Sequence, residues 1–233
     1  MKLDAASLVG LRPIARVLAL LIAVSGCATA VDGPTASSPT APAPLATATQ
    51  PEWRTGDRWV YGWTLGIEVG TKTVEVVELR KWNEVTYYLV RVGDLVHLYT
   101  PELQWAGTMR EERVESRMTP PLPWFSWPLV KDRRWTHQGT YEQAGAPKQV
   151  VTYRFSVVES EPVDVPAGRF RVVKVVRETD GRDLDEYWYA PDVGFYVKWV
   201  GRRGEQRFEE QLREYHRASD VPRPATRPPS TNR

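Results

Sequence analysis

The chain has 233 residues, 31 basic and 29 acidic, for a net charge of +2, with ten tryptophans and one cysteine. So even a charge balance excludes the strong basic excess of a nucleic-acid binder, and one cysteine cannot form a disulfide within the chain. The length allows one domain of ordinary size with a substantial core.

At the N-terminus, MKLDAASLVGLRPIAR carries Lys2, Arg12 and Arg16 against Asp4, and VLALLIAV follows with no polar side chain. That charged-then-apolar order is a secretory signal. The apolar run falls well short of the roughly 20 residues that a membrane-spanning helix needs. Next comes Val24-Ser25-Gly26-Cys27, which resembles the lipobox of bacterial lipoproteins. The resemblance implies removal of residues 1–26, a diacylglycerol thioether on Cys27, and anchoring in a membrane through acyl chains of the palmitate type. Burial at about 0.8 kcal/mol per CH₂ makes two or three such chains a stable anchor. Ala28 is not the aspartate that retains Gram-negative lipoproteins at the inner membrane. In a cell with two membranes this implies the outer membrane, facing the periplasm. Without the segment through Cys27 the chain keeps 28 basic and 28 acidic residues.

Residues 27–51 continue as a tether of Ala, Thr, Pro, Ser and Gly, a composition that cannot bury enough apolar surface to fold and favours an extended chain. Residues 52–216 form the predicted single domain, which holds all ten tryptophans. Residues 217–233, RASDVPRPATRPPSTNR, are predicted to be a disordered tail.

Within the domain, apolar and polar residues alternate as strands require. In RWVYGWTL (58–65), Trp59, Tyr61, Trp63 and Leu65 share one face. In VVTYRFSVV (150–158), Val151, Tyr153, Phe155 and Val157 do the same. Further strands are expected in TKTVEVVELRKW, VTYYLVRV, LVHLY, FRVVKVV, LDEYWY, FYVKWV and EQRFEEQLREY, although EEQLREYH also suits a short helix. Short turn signals such as Val92-Gly93-Asp94 and Gly201-Arg202-Arg203-Gly204 join them, so neighbours are antiparallel. The fold class is therefore all-β: an antiparallel curved sheet, as a barrel, a half-barrel or two packed sheets. The segment MTPPLPWFSWPLV (118–130) breaks the pattern. Its prolines exclude a central strand, and Trp124, Phe125 and Trp127 become candidates for a lid or plug.

Chemistry is sparse. The three histidines, His97, His137 and His216, are far apart in sequence, without metal-ligand spacing. There is no nucleophile elbow, so no catalytic residue, metal or cofactor is assigned. Asp180, Asp183, Asp185, Glu186 and Asp192 cluster in TDGRDLDEYWYAPD, which leaves open a hydrolase or lyase working through paired carboxylates. The aromatic surface is the stronger signal. Trp59, Tyr61, Trp63, Trp188 and Trp199 are candidate ligand-lining residues, since aromatic clefts take apolar ligands.

Residues 163–200 carry Val163-Asp-Val-Pro-Ala-Gly-Arg-Phe170, then Trp188-Tyr-Ala-Pro-Asp-Val-Gly194 and Val197-Lys198, preceded by Trp127-Pro128-Leu129 and Trp135. This pattern resembles a family of uncharacterised bacterial envelope proteins and lipoproteins. It departs from that family at Asp132-Arg133, where a glycine is expected before the strand. The resemblance implies an all-β envelope domain and assigns no activity. At the level of fold alone, the domain is also similar to carriers that move lipoproteins across the periplasm on a curved sheet. The reading favoured is a lipid-anchored, non-enzymatic module that binds an apolar ligand or an envelope protein. The carboxylate enzyme and a purely structural scaffold are the alternatives.

Overall fold

In RWVYGWTL the side chains divide as alternation predicts: Trp59 and Tyr61 are fully buried, while Arg58 and Thr64 are exposed. The computed structural model describes residues 47–82, 84–158, 162–179 and 183–218, all within the compact unit Ala41–Arg233. The signal segment, Cys27 and most of the tether and tail lie outside the described residues.

The strands are β1 (Thr47–Ala48), β2 (Arg58–Leu65), β3 (Glu68–Trp82), β4 (Val85–Val92), β5 (Leu95–Tyr99), β6 (Trp105–Arg110), β7 (Arg113–Leu122) and β8 (Leu129–Val130). They continue with β9 (Arg134–Gln143), β10 (Gln149–Val158), β11 (Val163–Val165), β12 (Gly168–Phe170), β13 (Val173–Thr179), β14 (Asp183–Ala190), β15 (Phe195–Arg203) and β16 (Gln206–His216). Twelve of them, in the order β10-β13-β14-β15-β16-β2-β3-β4-β5-β6-β7-β9, close a barrel in which every pairing is antiparallel. Closure decides among the architectures that alternation left open. Two insertions interrupt the meander. The β7–β9 connection carries β8, which pairs with β1, and the β10–β13 connection is the β11–β12 hairpin.

The structure decides one alternative, corrects one expectation and adds contacts outside the expected domain bounds. Residues 206–216, which include EEQLREYH, are strand and not helix, because β16 is clamped between β15 and β2. Strand β7 runs through Pro120 and Pro121 to Leu122. It does so because its register against β6 jumps from Gly107↔Arg117 to Trp105↔Leu122, so the prolines sit in an irregularity that asks for no ladder donor. Contacts with the barrel and its insertions also reach just beyond residues 52–216. Thr47 and Ala48 pair with Val130 and Leu129, Gln50 donates to the Pro101 carbonyl, Arg217 forms an ion pair with Asp57, and the Ala218 N–H donates to the same carboxylate.

A barrel of about eight strands is just filled by its side chains; twelve enclose more. Aromatic rings occupy much of that extra space. Trp53 packs against Trp59, Tyr99 and Phe195 at ring separations of 5.6, 5.3 and 5.2 Å, and Tyr61 stacks on Tyr196 at 4.8 Å. The family-like turn Pro191-Asp192-Val193-Gly194 is the anchor for these rings. The Val193 carbonyl accepts from the Trp59 indole and from Arg217, and the Gly194 carbonyl accepts from the Trp53 indole. Gly194 has φ +71°, and a Cβ there would strike the Arg217 guanidinium, so glycine answers both the turn and the close approach. A smaller apolar cluster, Leu89, Leu98 and Ala106, lies on the other face of β4–β6.

Candidate ligand pocket

The rings do not fill the barrel. A pocket of about 230 Å³, partly open to the outside, remains among its inward-facing side chains. Alternation supplies its wall in pairs: Lys72 and Val74 from β3, Val90 and Val92 from β4, His97 and Tyr99 from β5, Tyr187 and Tyr189 from β14. On β15 the pairing with β14 slips between Trp188 and Tyr189, and as a result Tyr196 and Trp199, three residues apart, both reach the cavity beside Tyr189 and Tyr187. Redirecting a side chain in this way is a usual consequence of a bulge. Pro51 and Trp53 close one side, Leu103 and Trp105 another.

Of the residues singled out from sequence, Trp199 lines this cavity, and so do Trp124, Phe125 and Trp127. The last three pack on Tyr187 and Tyr189, with Trp127 4.9 Å and Phe125 5.4 Å from the Tyr189 ring and Trp124 5.5 Å from that of Tyr187. Trp59, Tyr61, Trp63 and Trp188 are not part of the wall. Trp59 and Tyr61 are wholly enclosed core residues. Trp63 lies across Gly70 of β3, where the missing side chain makes room for the indole. Trp188 sits on the face of β14 opposite Tyr187, with the Lys174 and Lys198 ammonium groups 4.8 and 5.3 Å from its ring centre. Trp53, Tyr99, Trp105, Tyr187, Tyr189, Phe195 and Tyr196 complete the aromatic wall and were not singled out. For Tyr187 and Tyr189 the signal was present as parity: they alternate with Trp188.

Two buried carboxylates stand beside the pocket, both paired. Glu210 holds Lys72 at 2.6 Å and accepts from the Tyr196 hydroxyl at 2.8 Å. Asp185 pairs with Arg177, accepts from the Trp199 indole at 3.1 Å and has Arg203 at 3.7 Å. Glu186, next to Asp185 on β14, pairs with Lys174, and alternation sends the two carboxylates to opposite sides of the sheet. They do not flank one cleft as paired acid and base must. Asp180 and the Asp183 side chain lie outside the described residues, and Asp192 is in the β14–β15 turn. Among the described residues no group of three or more His, Cys, Asp or Glu side chains is placed to hold a metal ion.

Burial pushes the phenols of Tyr187 and Tyr189 up, so both stay protonated as donors. His97 moves the other way. Burial, helped by the nearby Lys72 ammonium, lowers its pKa to about 4, against about 6.5 in an unfolded chain. Between those values the unfolded state binds more protons, so stability is lost as pH falls from about 6.5 to about 4. The loss from this one group is expected to be on the order of 3 kcal/mol. Comparing the urea midpoints of wild type and His97→Gln across that interval checks it, since the two curves are expected to converge at acid pH. Burial lowers the His137 pKa as well, which is why the variant, and not wild type alone, isolates His97.

Neither a family model nor a curated protein matches the chain. Solved structures with a similar backbone include a protein of Parabacteroides distasonis ATCC 8503 provisionally described as a lipoprotein, at 11% identity over 72% of this chain and 99% of that one, with a TM-score of 0.39. A second, from Bacteroides fragilis NCTC 9343, is provisionally described as exported, with a YmcC-like fold, at 14% identity over 73% and 100% of the two chains and a TM-score of 0.42. The hypothetical lipoprotein YmcC of Escherichia coli (K12) is 9% identical over 72% and 92%, with a TM-score of 0.38. Likeness at these identities concerns fold and carries no activity with it. The class that fold and site define is a closed antiparallel barrel with an aromatic internal pocket.

Proposed function

We propose that this is a lipid-anchored cell-envelope protein, held to the membrane through Cys27, whose barrel binds an apolar ligand in its internal pocket. The carrying observation is the pocket itself: about 230 Å³, partly open to the outside and walled mainly by aromatic rings. Pockets of that character, mostly apolar with a few placed polar groups, are where small ligands bind. The charged-then-apolar leader and the lipobox-like Val24-Ser25-Gly26-Cys27 support the anchor.

Native mass spectrometry of the full chain purified from bacterial membranes tests both parts. The covalent mass is expected to start at Cys27 with a diacylglyceryl group attached. A further noncovalent mass is expected to disappear in Val90→Phe, which fills the cavity from β4 without adding a polar group. A wild-type spectrum with only the covalent species, under conditions that preserve the fold, removes support for a bound ligand.

A further inference from the structure

Four residues of the cavity wall carry buried hydrogen-bond donors with no partner in the protein, atoms closed to solvent that an outside acceptor reaches only when the rings shift. They are the indole nitrogens of Trp105 and Trp127 and the hydroxyls of Tyr187 and Tyr189, the two tyrosines being only 4% and 1% exposed. Comparable donors nearby are met. Trp53 and Trp59 donate to carbonyls at 3.0 Å, Trp199 to Asp185 at 3.1 Å, and Tyr61 to the Tyr196 carbonyl at 2.7 Å. An unmet buried donor costs about 1–3 kcal/mol, and folded proteins keep few of them. Four around one cavity therefore mark where acceptor atoms arrive from outside the chain.

Charge balance narrows the kind of acceptor. Lys72, the ammonium on the wall, is paired with Glu210 at 2.6 Å, and Arg177, close to Tyr187, is paired with Asp185. An entering carboxylate or phosphate would shed its water and find the charge of each of these cations already matched by a carboxylate, with only the Arg177 Nε–H left unpartnered, which is costly. A carbonyl oxygen needs only N–H and O–H donors, which this wall has to spare.

We infer that the pocket is built for an uncharged acyl compound, an ester or amide on an apolar chain, with its carbonyl oxygen hydrogen-bonded by Tyr187, Tyr189, Trp105 or Trp127. This deepens the binding reading above and rests on it. The acyl carbonyl is the shared chemistry, and ester and amide are its two sources.

The test uses the full chain carrying Cys27→Ser, so that no lipid of its own is attached. It is titrated at neutral pH with decane, decanoic acid, methyl decanoate and N-methyl decanamide, followed by tryptophan fluorescence and native mass. The better of the two carbonyl compounds is expected to bind about tenfold or more tightly than either the alkane or the acid, the equivalent of about 1.4 kcal/mol; which one it is names the linkage. In Tyr187→Phe/Tyr189→Phe that preference is expected to collapse to the level of the alkane, with a Tm equal to or above wild type because two unmet donors are gone. If all four probes bind alike, water serves the donors and the inference is overturned while the pocket stands. A double variant that loses Tm and keeps the preference overturns it too. Should no probe bind, the binding reading itself fails.

Discussion

Asp57→Ala is expected to remove about 3–5 kcal/mol of folding stability, because it breaks a buried ion pair from one side only. Asp57 is wholly buried and holds three groups from both ends of the domain. It accepts from the Arg54 backbone N–H at 2.9 Å and from the Ala218 N–H at 2.8 Å, and it lies 3.3 Å from Arg217. Arg217 in turn donates to the Val193 carbonyl, which also receives Trp59, and to the Glu52 carbonyl. Losing the carboxylate leaves a largely buried guanidinium uncompensated and two N–H groups without acceptors. Urea unfolding at unchanged m-value reads the loss directly. Arg217→Met in the same background is expected to return much of it, since both charges are then gone. A single variant within about 1 kcal/mol of wild type would show that this junction does not hold the domain closed, against the usual cost of a broken buried pair.

Asp185→Ala is expected to cost a similar amount, about 3–5 kcal/mol, for a related reason. Arg177 lies between aromatic faces, 4.7 Å from the Trp124 ring centre and 5.1 Å from that of Tyr153, and Asp185 is its partner and the acceptor for Trp199. Asp185→Asn keeps an acceptor for the indole and loses only the charge, so it is expected to be the milder variant. Equal losses in the two variants would mean that the charge alone matters and the indole bond contributes nothing. The measurement also bears on the carboxylate-enzyme alternative: a residue committed to an arginine and two neighbours is a structural anion, and its removal shows first in the unfolding curve.

The strands were legible because alternation is a local signal, and Trp59, Tyr61, Phe155 and Val157 were placed on the inner face from it. What stayed hidden depends on long-range register. β14 reads equally well with Trp188 or with Tyr187 and Tyr189 inward, since Asp185 shares the inner face and makes that side look polar; only its pairing with Arg177, directly opposite on neighbouring β13, resolves it. β1 has two residues and so no period to detect. The prolines of β7 misled because a bulge, invisible in sequence, excused them. Asp132 stands where the family-like pattern expects glycine, and its φ of +68° shows why: the position demands a left-handed residue, which aspartate tolerates better than most.

Closure of the sheet also limits how another protein can take hold. Every barrel strand has a bonded neighbour on each side, so no whole strand is left as an edge on which a visiting peptide could continue the ladder; only stretches that outrun a partner, such as Glu78–Trp82 of β3 beyond its pairing with β2, keep one side unpaired. A docking partner is left with side-chain surfaces, with those short stretches, or with the two ribbons, β1–β8 and β11–β12, as its footholds. The same closure gives neighbouring copies of the barrel no full-length strand edge as a template for stacking.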